Sequence, residues 1–415
     1  MVKRALAAVR EARWLSEERA RAYAVLVAVM ILLQALSLVG KIVWTASSDP
    51  LWRPVVTDFD AFWSGARLLL QGTPARAYDI PAMIAAEQQG AQPVAGQFLP
   101  YLYPPVFLML SAPLGLLPYL ASMAAFALAG YAAVVACLRR ILPAAWPLLP
   151  VLAFPAAMMN ATMGQTAAIA TLCFGGAMLW LDRRPALAGA CLGMLVYKPH
   201  LALCVPVALL AARRWTALAS CAATALALLL LSRIVLGGAT WLAFRQSMFM
   251  AREVLLDQPT WMKMTSIYGA VRVLHGSAGL ALAVQAAAAT LAVLCMGLVA
   301  RARPGAGPEA ATLVLAALIC TPYLLDYDLV CLGVSMAWLA GQGSLTGWRP
   351  WEKILLCLGY MLPLEARNLN AQVGVPLMPV LLVCLLAVVV ARLRRDRPGA
   401  GDAAGDARLL ALAHE

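Results

Sequence analysis

Three long apolar runs, Ala22 to Trp44, Leu218 to Leu236 and Leu280 to Ala300, set the first limit on what this chain can become. A helix needs about 20 apolar residues to cross the hydrocarbon of a bilayer, and each run comes close to that length or passes it. Within each run the apolar residues are continuous rather than alternating, which argues against a β-barrel. The 415 residues are 63% hydrophobic and 13% charged, where a globular domain carries about 25% charged residues. The chain therefore reads as an all-α polytopic membrane protein.

A net charge of +12 invites a nucleic-acid reading, but the placement of the cations decides against it. Lys3, Arg4, Arg10, Arg13, Arg19 and Arg21 precede the first run. Arg139/Arg140, Arg183/Arg184, Arg213/Arg214 and Arg301/Arg303 sit at the ends of later runs, and Arg392, Arg394, Arg395 and Arg397 close the last. Such clusters are the cytoplasmic excess that orients membrane helices. No nucleic-acid partner is expected, and segment 1–21 is assigned to the cytoplasm. The first run ends in Gly-Lys-Ile-Val-Trp without a small-residue cleavage signal, so it reads as a retained span. Most of the ten cysteines lie inside apolar runs with no CxxC pair, as small buried hydrophobes.

A multispanning domain is expected over 22–395, followed by a disordered Gly-, Ala- and Asp-rich tail over 396–415. A polar outer loop follows the first span over 45–100, with short helices read at Ala61–Leu70 and Pro81–Gln89, the second capped by Asp79. Residues 102–117, bounded by Pro104/Pro105 and Pro118, read as a partial segment leading into a span over 119–138. Two full crossings there would turn Arg139/Arg140 outward. Further spans are expected over 144–159, 164–181, 186–198, 199–212, 216–236, 278–300, 310–324, 326–340, 354–364 and 376–394, with a second outer loop over 237–277. Every Arg-rich turn then lies inside. "DFDAFW", "YPP", "MGQT", "YKPH", "TPYLLDYD" and "EARN" lie outside. Polar residues that are not simple inner anchors thus gather on one face. The internal repeat typical of secondary transporters is not evident.

Several residues on that face have the chemistry for a site. Asp58 and Asp60 in "TDFDAFW" are either helix caps or a general base shielded by Phe59, Phe62 and Trp63, where burial lifts a carboxyl toward the working range. Trp63 either lines a sugar or lipid site or anchors at the interface. Tyr103 precedes the two prolines that would pin the chain's return into the membrane near the Asp motif. Gln165, with Asn160 and Thr166, either bonds a ligand hydroxyl or satisfies helix ends. Lys198 lies on the outer side against the trend of positive charge, so it either holds a phosphate or snorkels to the interface. His200 has no second His at metal spacing and reads as structural first. Asp326 and Asp328, flanked by Tyr323 and Tyr327, are acids in an apolar setting that need a partner. Lys198, Arg245, Arg252, Lys263 and Arg272 are the available cations. The chain has no Walker loop, no dinucleotide fingerprint and no zinc motif, so a nucleotide-sugar site of the soluble type is unsupported and no cofactor is expected.

Taken in order, "DFDAFWSGARLLLQGTPARAYD", "YLYPPVFLMLSAPLGLLP", "GQTAAIATLCFGGAMLWLDRRPALAGACLGMLVYKPHLALCVPVALLAARRW" and "TPYLLDYDLV" resemble glycosyltransferase family 87 over about Asp58 to Ala340. The resemblance implies a GT-C-like helical bundle, with outer-face loop helices and an active site on the non-cytoplasmic face. It implies a polyprenyl-phosphate sugar donor, often mannosyl, and a lipid or glycan acceptor among membrane lipids. In a bacterium that is the inner membrane, with the site facing the periplasm or exterior. The family's leading acid falls on Asp58 and its aromatic pair on Phe62 and Trp63, while Asp60 falls on a variable position. Where the family often has Tyr, this chain has Phe62.

The implied mechanism is inverting. Asp58 takes the acceptor's proton, and Lys198 or an Arg of 237–277 steadies the departing phosphate. This scheme requires no metal. Asp60, Phe62, Trp63, Tyr103, Gln165, Lys198, His200, Tyr323, Asp326 and Asp328 are the candidates for substrate binding. The competing expectations are a transporter or flippase of a lipid-linked sugar and a non-catalytic subunit of an envelope-assembly complex.

Overall fold

The structure, a computed structural model, describes residues 9–48, 57–91, 99–252, 259–302 and 304–395. Lys3, Arg4, Arg303, Arg397 and the tail over 396–415, all assigned roles above, lie outside the described residues.

The protein is all-α and polytopic. Among the described residues the only β pairing is an isolated antiparallel bridge between Met264 and Leu325. After α1 (Glu17–Ser48), the described part of the following loop carries two helices, α2 (Phe59–Leu70) and α3 (Ile80–Gly90). Asp79 caps α3 by accepting from the Ala82 amide at 3.0 Å. The chain returns through α4 (Pro105–Leu110) and a 3₁₀ turn at Ala112–Leu116 before α5 (Tyr119–Ile141). Proline explains this break. Pro105 starts α4, Pro113 lies in the 3₁₀ turn, and Pro118 precedes α5, where a missing N–H and a fixed φ forbid a continuous helix.

The bundle continues with α6 (Pro155–Thr162), α7 (Ala167–Trp180), α8 (Pro185–Met194), α9 (Cys204–Ala211) and α10 (Trp215–Arg252). It closes with α11 (Ile267–Val273), α12 (Ala278–Ala302), α13 (Ala306–Cys320), α14 (Leu332–Thr346), α15 (Glu352–Asn368) and α16 (Leu377–Arg395). α10 is broken at Gly237 (φ 77°, ψ 168°). The segment expected as a loop over 237–277 therefore begins as helix, and it also carries a 3₁₀ turn at Pro259–Lys263 and α11.

Among the described residues four helical stretches are long and apolar enough to cross a membrane: Tyr119–Ile141, Trp215–Phe249, Ala278–Ala302 and Asp326–Thr346. Shorter apolar helices accompany them; broken backbone at membrane depth is tolerated where protein, not lipid, surrounds it. α7, α13 and α14 are buried on nearly all sides. α8 lies so close to α10 that a Cβ on Gly189 would stand 2.1 Å from the Ala217 carbonyl oxygen. Small residues let membrane helices approach in this way.

The two ends of the bundle differ in chemistry. At one end Arg214 bridges Asp182 (2.6 Å) and Glu309 (3.0 Å), Asp182 also accepts from the Ala306 amide, and Arg392 pairs with Glu352 at 2.5 Å. Arg139 donates to the Pro143 and Ala144 carbonyls in the same region of turns. The N-terminal segment docks there too, with the Trp351 amide donating to the Arg10 carbonyl and Lys353 to the Leu15 carbonyl. At the opposite ends of the same helices stand Gln165, Lys198 and Asp326, with α2 and α3 packed beside them.

Candidate active site

Asp58 stands immediately before α2 in helical geometry (φ −60°, ψ −19°), and its side chain makes no capping bond. Its Oδ2 instead accepts from Gln165 Nε2 at 2.7 Å. The amide of Gln165 is itself oriented. Its Oε1 accepts from the Thr166 N–H at 3.2 Å and from the Tyr103 hydroxyl at 3.3 Å, which leaves the NH₂ group to face Asp58. Tyr103 also shares a 2.9 Å hydrogen bond with the Thr166 hydroxyl. Three segments remote in sequence are thus joined at one carboxylate.

A tight turn makes the junction possible. Gly164 has φ 63°, and a Cβ there would fall 2.4 Å from Cβ of Phe59. Only glycine meets both the left-handed backbone and the close approach. With its amide oxygen and nitrogen exchanged, Asn160 donates to the Gln165 carbonyl (3.0 Å) and accepts from the Ala167 amide (3.3 Å), so it clasps the turn from below.

Burial pushes the Asp58 carboxyl up from its ordinary range. The Gln165 hydrogen bond opposes this most strongly, followed by the positive charges of Arg367 and, more weakly, Lys263, while Asp326 pushes upward. A carboxylate held between desolvation and nearby cations is the type of group that serves as a base.

Lys198 and Asp328 form a buried ion pair, each side chain 3% exposed. The Lys198 ammonium also lies over the rings of Tyr103 (5.9 Å) and Tyr327 (5.4 Å). The lysine is therefore neutralised inside the bundle, and it supports Tyr103 from behind. Asp326 is engaged by Arg367, with Nε 2.8 Å from Oδ2 and Nη2 donating to Oδ1 at 3.0 Å. His200 packs edge-on against Tyr323, ring centroids 4.8 Å apart.

Asp60 turns elsewhere, since two residues along a helix rotate a side chain by about 200°, and Trp63 also points away, whereas Phe62, about one turn beyond Asp58, stays near the same face. Asp60 is fully buried. Its Oδ1 accepts from Ser64 at 3.3 Å, and Oδ2 has no hydrogen-bond partner among the described residues. Burial first and the neighbouring Glu87 second push the Asp60 carboxyl up to about 7. Burial likewise pushes Glu87 up to about 7, although both its oxygens accept from the Leu99 amide (3.1 and 3.4 Å). Trp63 donates to the Leu117 carbonyl at 3.0 Å and packs on Tyr119. Phe62 stands edge-on to Tyr103 (5.1 Å) and so touches the Gln165 network at one remove.

Asp58, Tyr103 and Gln165 are thus linked directly, and Lys198, Asp328 and Phe62 adjoin them through Tyr103. Asp326 and Tyr323 belong to the neighbouring turn, while Asp60 and Trp63 face α3 and the turn before α5. Reasoning from sequence passed over Arg367 and Glu87. Arg367, in "EARN" on the expected outer side, carried the same signal as Lys198: a cation against the inner bias.

A description of glycosyltransferase family 87 matches residues 101–325. Tyr103, Gln165, Lys198, His200 and Tyr323 fall inside that stretch, whereas Asp58, Asp326, Asp328 and Arg367 lie beyond its limits. Comparisons with curated proteins and with solved structures returned no match. With over half of its 415 residues matched, the chain belongs to glycosyltransferase family 87 and is a membrane glycosyltransferase.

Proposed function

We propose that the protein moves a mannose-like sugar from a polyprenyl-phosphate donor to a hydroxyl of a lipid or glycan, with inversion, at the non-cytoplasmic face. The reading rests on one observation: a largely buried carboxylate, Asp58, spends no bond on its own helix and is aimed by an oriented amide at 2.7 Å. In the reaction the acceptor oxygen bonds to the anomeric carbon as its proton passes to Asp58. The bond from that carbon to the phosphate oxygen breaks, and its electron pair leaves with the polyprenyl phosphate. General-base assistance of this kind contributes about 10²–10⁴-fold. Gln165 and Tyr103 hold the base in place, with Phe62 and the Lys198–Asp328 pair supporting Tyr103. The Arg-rich turns at the far end of the bundle support placing Asp58 outside, toward the periplasm in a bacterium.

The test is incubation of the purified protein with a panel of polyprenyl-monophosphate sugars and an acceptor-containing lipid extract, scoring release of polyprenyl phosphate. Release with at least one donor, abolished in Asp58→Ala and Asp58→Asn, is expected. If no donor is turned over while labelled lipid-linked sugar crosses proteoliposomes containing the protein, transport replaces transfer as the reading.

A further inference from the structure

A departing phosphate needs a cation that is free to meet it, and Lys198 is not free. Its ammonium is paired with Asp328 where both side chains are 3% exposed. Turning toward a ligand would strand a buried carboxylate, which is strongly unfavourable. Two other cations converge on the same region. Arg367, at the end of α15, has a side chain 35% exposed. Asp326 engages its Nε and one N–H of Nη2, and a guanidinium has five N–H donors, so the outer edge of the fork is available. Lys263 is exposed and makes no ion pair among the described residues.

Backbone pairing brings the two together. Met264, next to Lys263, bridges Leu325, which is next to Asp326, the partner of Arg367. The Thr265 amide donates to the Leu324 carbonyl at 2.7 Å, and Asn370, three residues beyond Arg367, donates to the Met264 carbonyl at 2.6 Å. The positive charges of both residues reach Asp58.

We propose that Arg367 and Lys263 form the clamp for the donor's phosphate, with Asp326 orienting the guanidinium and Lys198 serving only to neutralise Asp328. This rests on the glycosyl-transfer reading and adds the residues that hold its leaving group. The charge balance suits two shared cations. As the sugar departs, the phosphodiester with one negative charge becomes a monoester with two, while Asp58 loses its charge to the incoming proton. Cations standing near both groups stay matched to the total throughout, a preorganised field that needs no rearrangement at the moment of reaction.

The experiment titrates the full chain in nanodiscs with farnesyl monophosphate and, separately, with farnesol. The wild type is expected to prefer the phosphate. Lys263→Gln, an exposed change that leaves no buried charge behind, is expected to weaken phosphate binding about tenfold, as is Arg367→Lys, which keeps a cation for Asp326; that is the value of one charge-assisted hydrogen bond. Lys263→Gln combined with Arg367→Lys should remove most of the preference, and farnesol binding should not move. The double change Lys198→Met with Asp328→Leu should retain the preference. If the wild type prefers the phosphate but both clamp variants keep that preference, or if Lys198→Met with Asp328→Leu abolishes it, the clamp is wrong and the transferase reading stands. A wild type that does not distinguish phosphate from alcohol overturns the clamp and the polyprenyl-phosphate donor together.

Discussion

Replacing Gln165 by Leu tests the link between structure and chemistry most directly. The side chain is buried, of similar volume, and donates the 2.7 Å bond to Asp58. Its loss frees the Tyr103 hydroxyl, which already bonds the Thr166 hydroxyl at 2.9 Å, and leaves the Thr166 N–H without its acceptor, a cost that does not vary with pH; the pH-dependent part falls on Asp58. A hydrogen bond to a charged group is worth about 1.5–3 kcal/mol. That bond favours the ionised carboxylate, against the desolvation that pushes the carboxyl up. Without it the carboxyl moves further up, and at any pH on the acid limb the ionised fraction drops by about 10- to 100-fold. The assay is the initial rate of polyprenyl-phosphate release, followed from about pH 5 to about pH 9 so that both limbs of the profile are seen. The acid limb of Gln165→Leu should move to higher pH, with the rate recovering toward wild type under alkaline conditions. A deficit of the same size at every pH would show that Gln165 shapes the fold or a substrate pocket instead, and the account of Asp58 as a base tuned by that amide would be refuted.

Asp60 and Glu87 make a prediction about stability. Both carboxyls are pushed up to about 7. A raised carboxyl contributes stability that is full below its unfolded value and is lost as pH rises through the folded one. Stability, read as the melting temperature, should therefore fall between about pH 4 and about pH 7, by up to about 4 kcal/mol from Asp60 with a smaller, solvent-screened share from Glu87, and Asp60→Asn should flatten the curve; a flat wild-type curve would contradict the burial described. Lys198→Met should destabilise by about 3–5 kcal/mol by orphaning Asp328, and adding Asp328→Leu should restore much of the loss, measured as thermal unfolding of each purified variant. Gly164→Ala should cost at least about 1–2 kcal/mol for its left-handed backbone. It should also impair turnover, because the new methyl displaces Phe59 beside Asp58; a fully active Gly164→Ala protein would show that the close approach is unimportant.

Much of the architecture could be read before the fold was known, because lipid imposes simple rules. Runs such as Leu280 to Ala300 and the prolines around residues 104–118 announce a span and a broken segment through length and missing backbone donors. The pairing of site residues could not be read in this way. Gln165 and Asp58 are 107 positions apart, and Lys198 and Asp328 are 130 apart. A single sequence holds no term that joins such residues; only the packing of α2 against the Gly164 turn does. Lys198 stood out as a cation on the wrong side, yet five cations were equally plausible partners for Asp326 and Asp328. Arg367, which engages Asp326, was not among them. The helix after Gly237 was hidden for a related reason, since one glycine marks a kink as readily as an end.

Asp58 occupies a position where an acid ordinarily fastens the start of its own helix, and there it withholds that service. Its backbone is already helical, outside the extended geometry of a capping residue, and its carboxylate leans sideways to Gln165. On the proposed reading, a directed-evolution screen rewarding heat tolerance alone has no hold on the acid at position 58, and proteins that keep their fold but lose turnover pass it. If Asp58 is the base, only selection on turnover, generation after generation, keeps the acid in place.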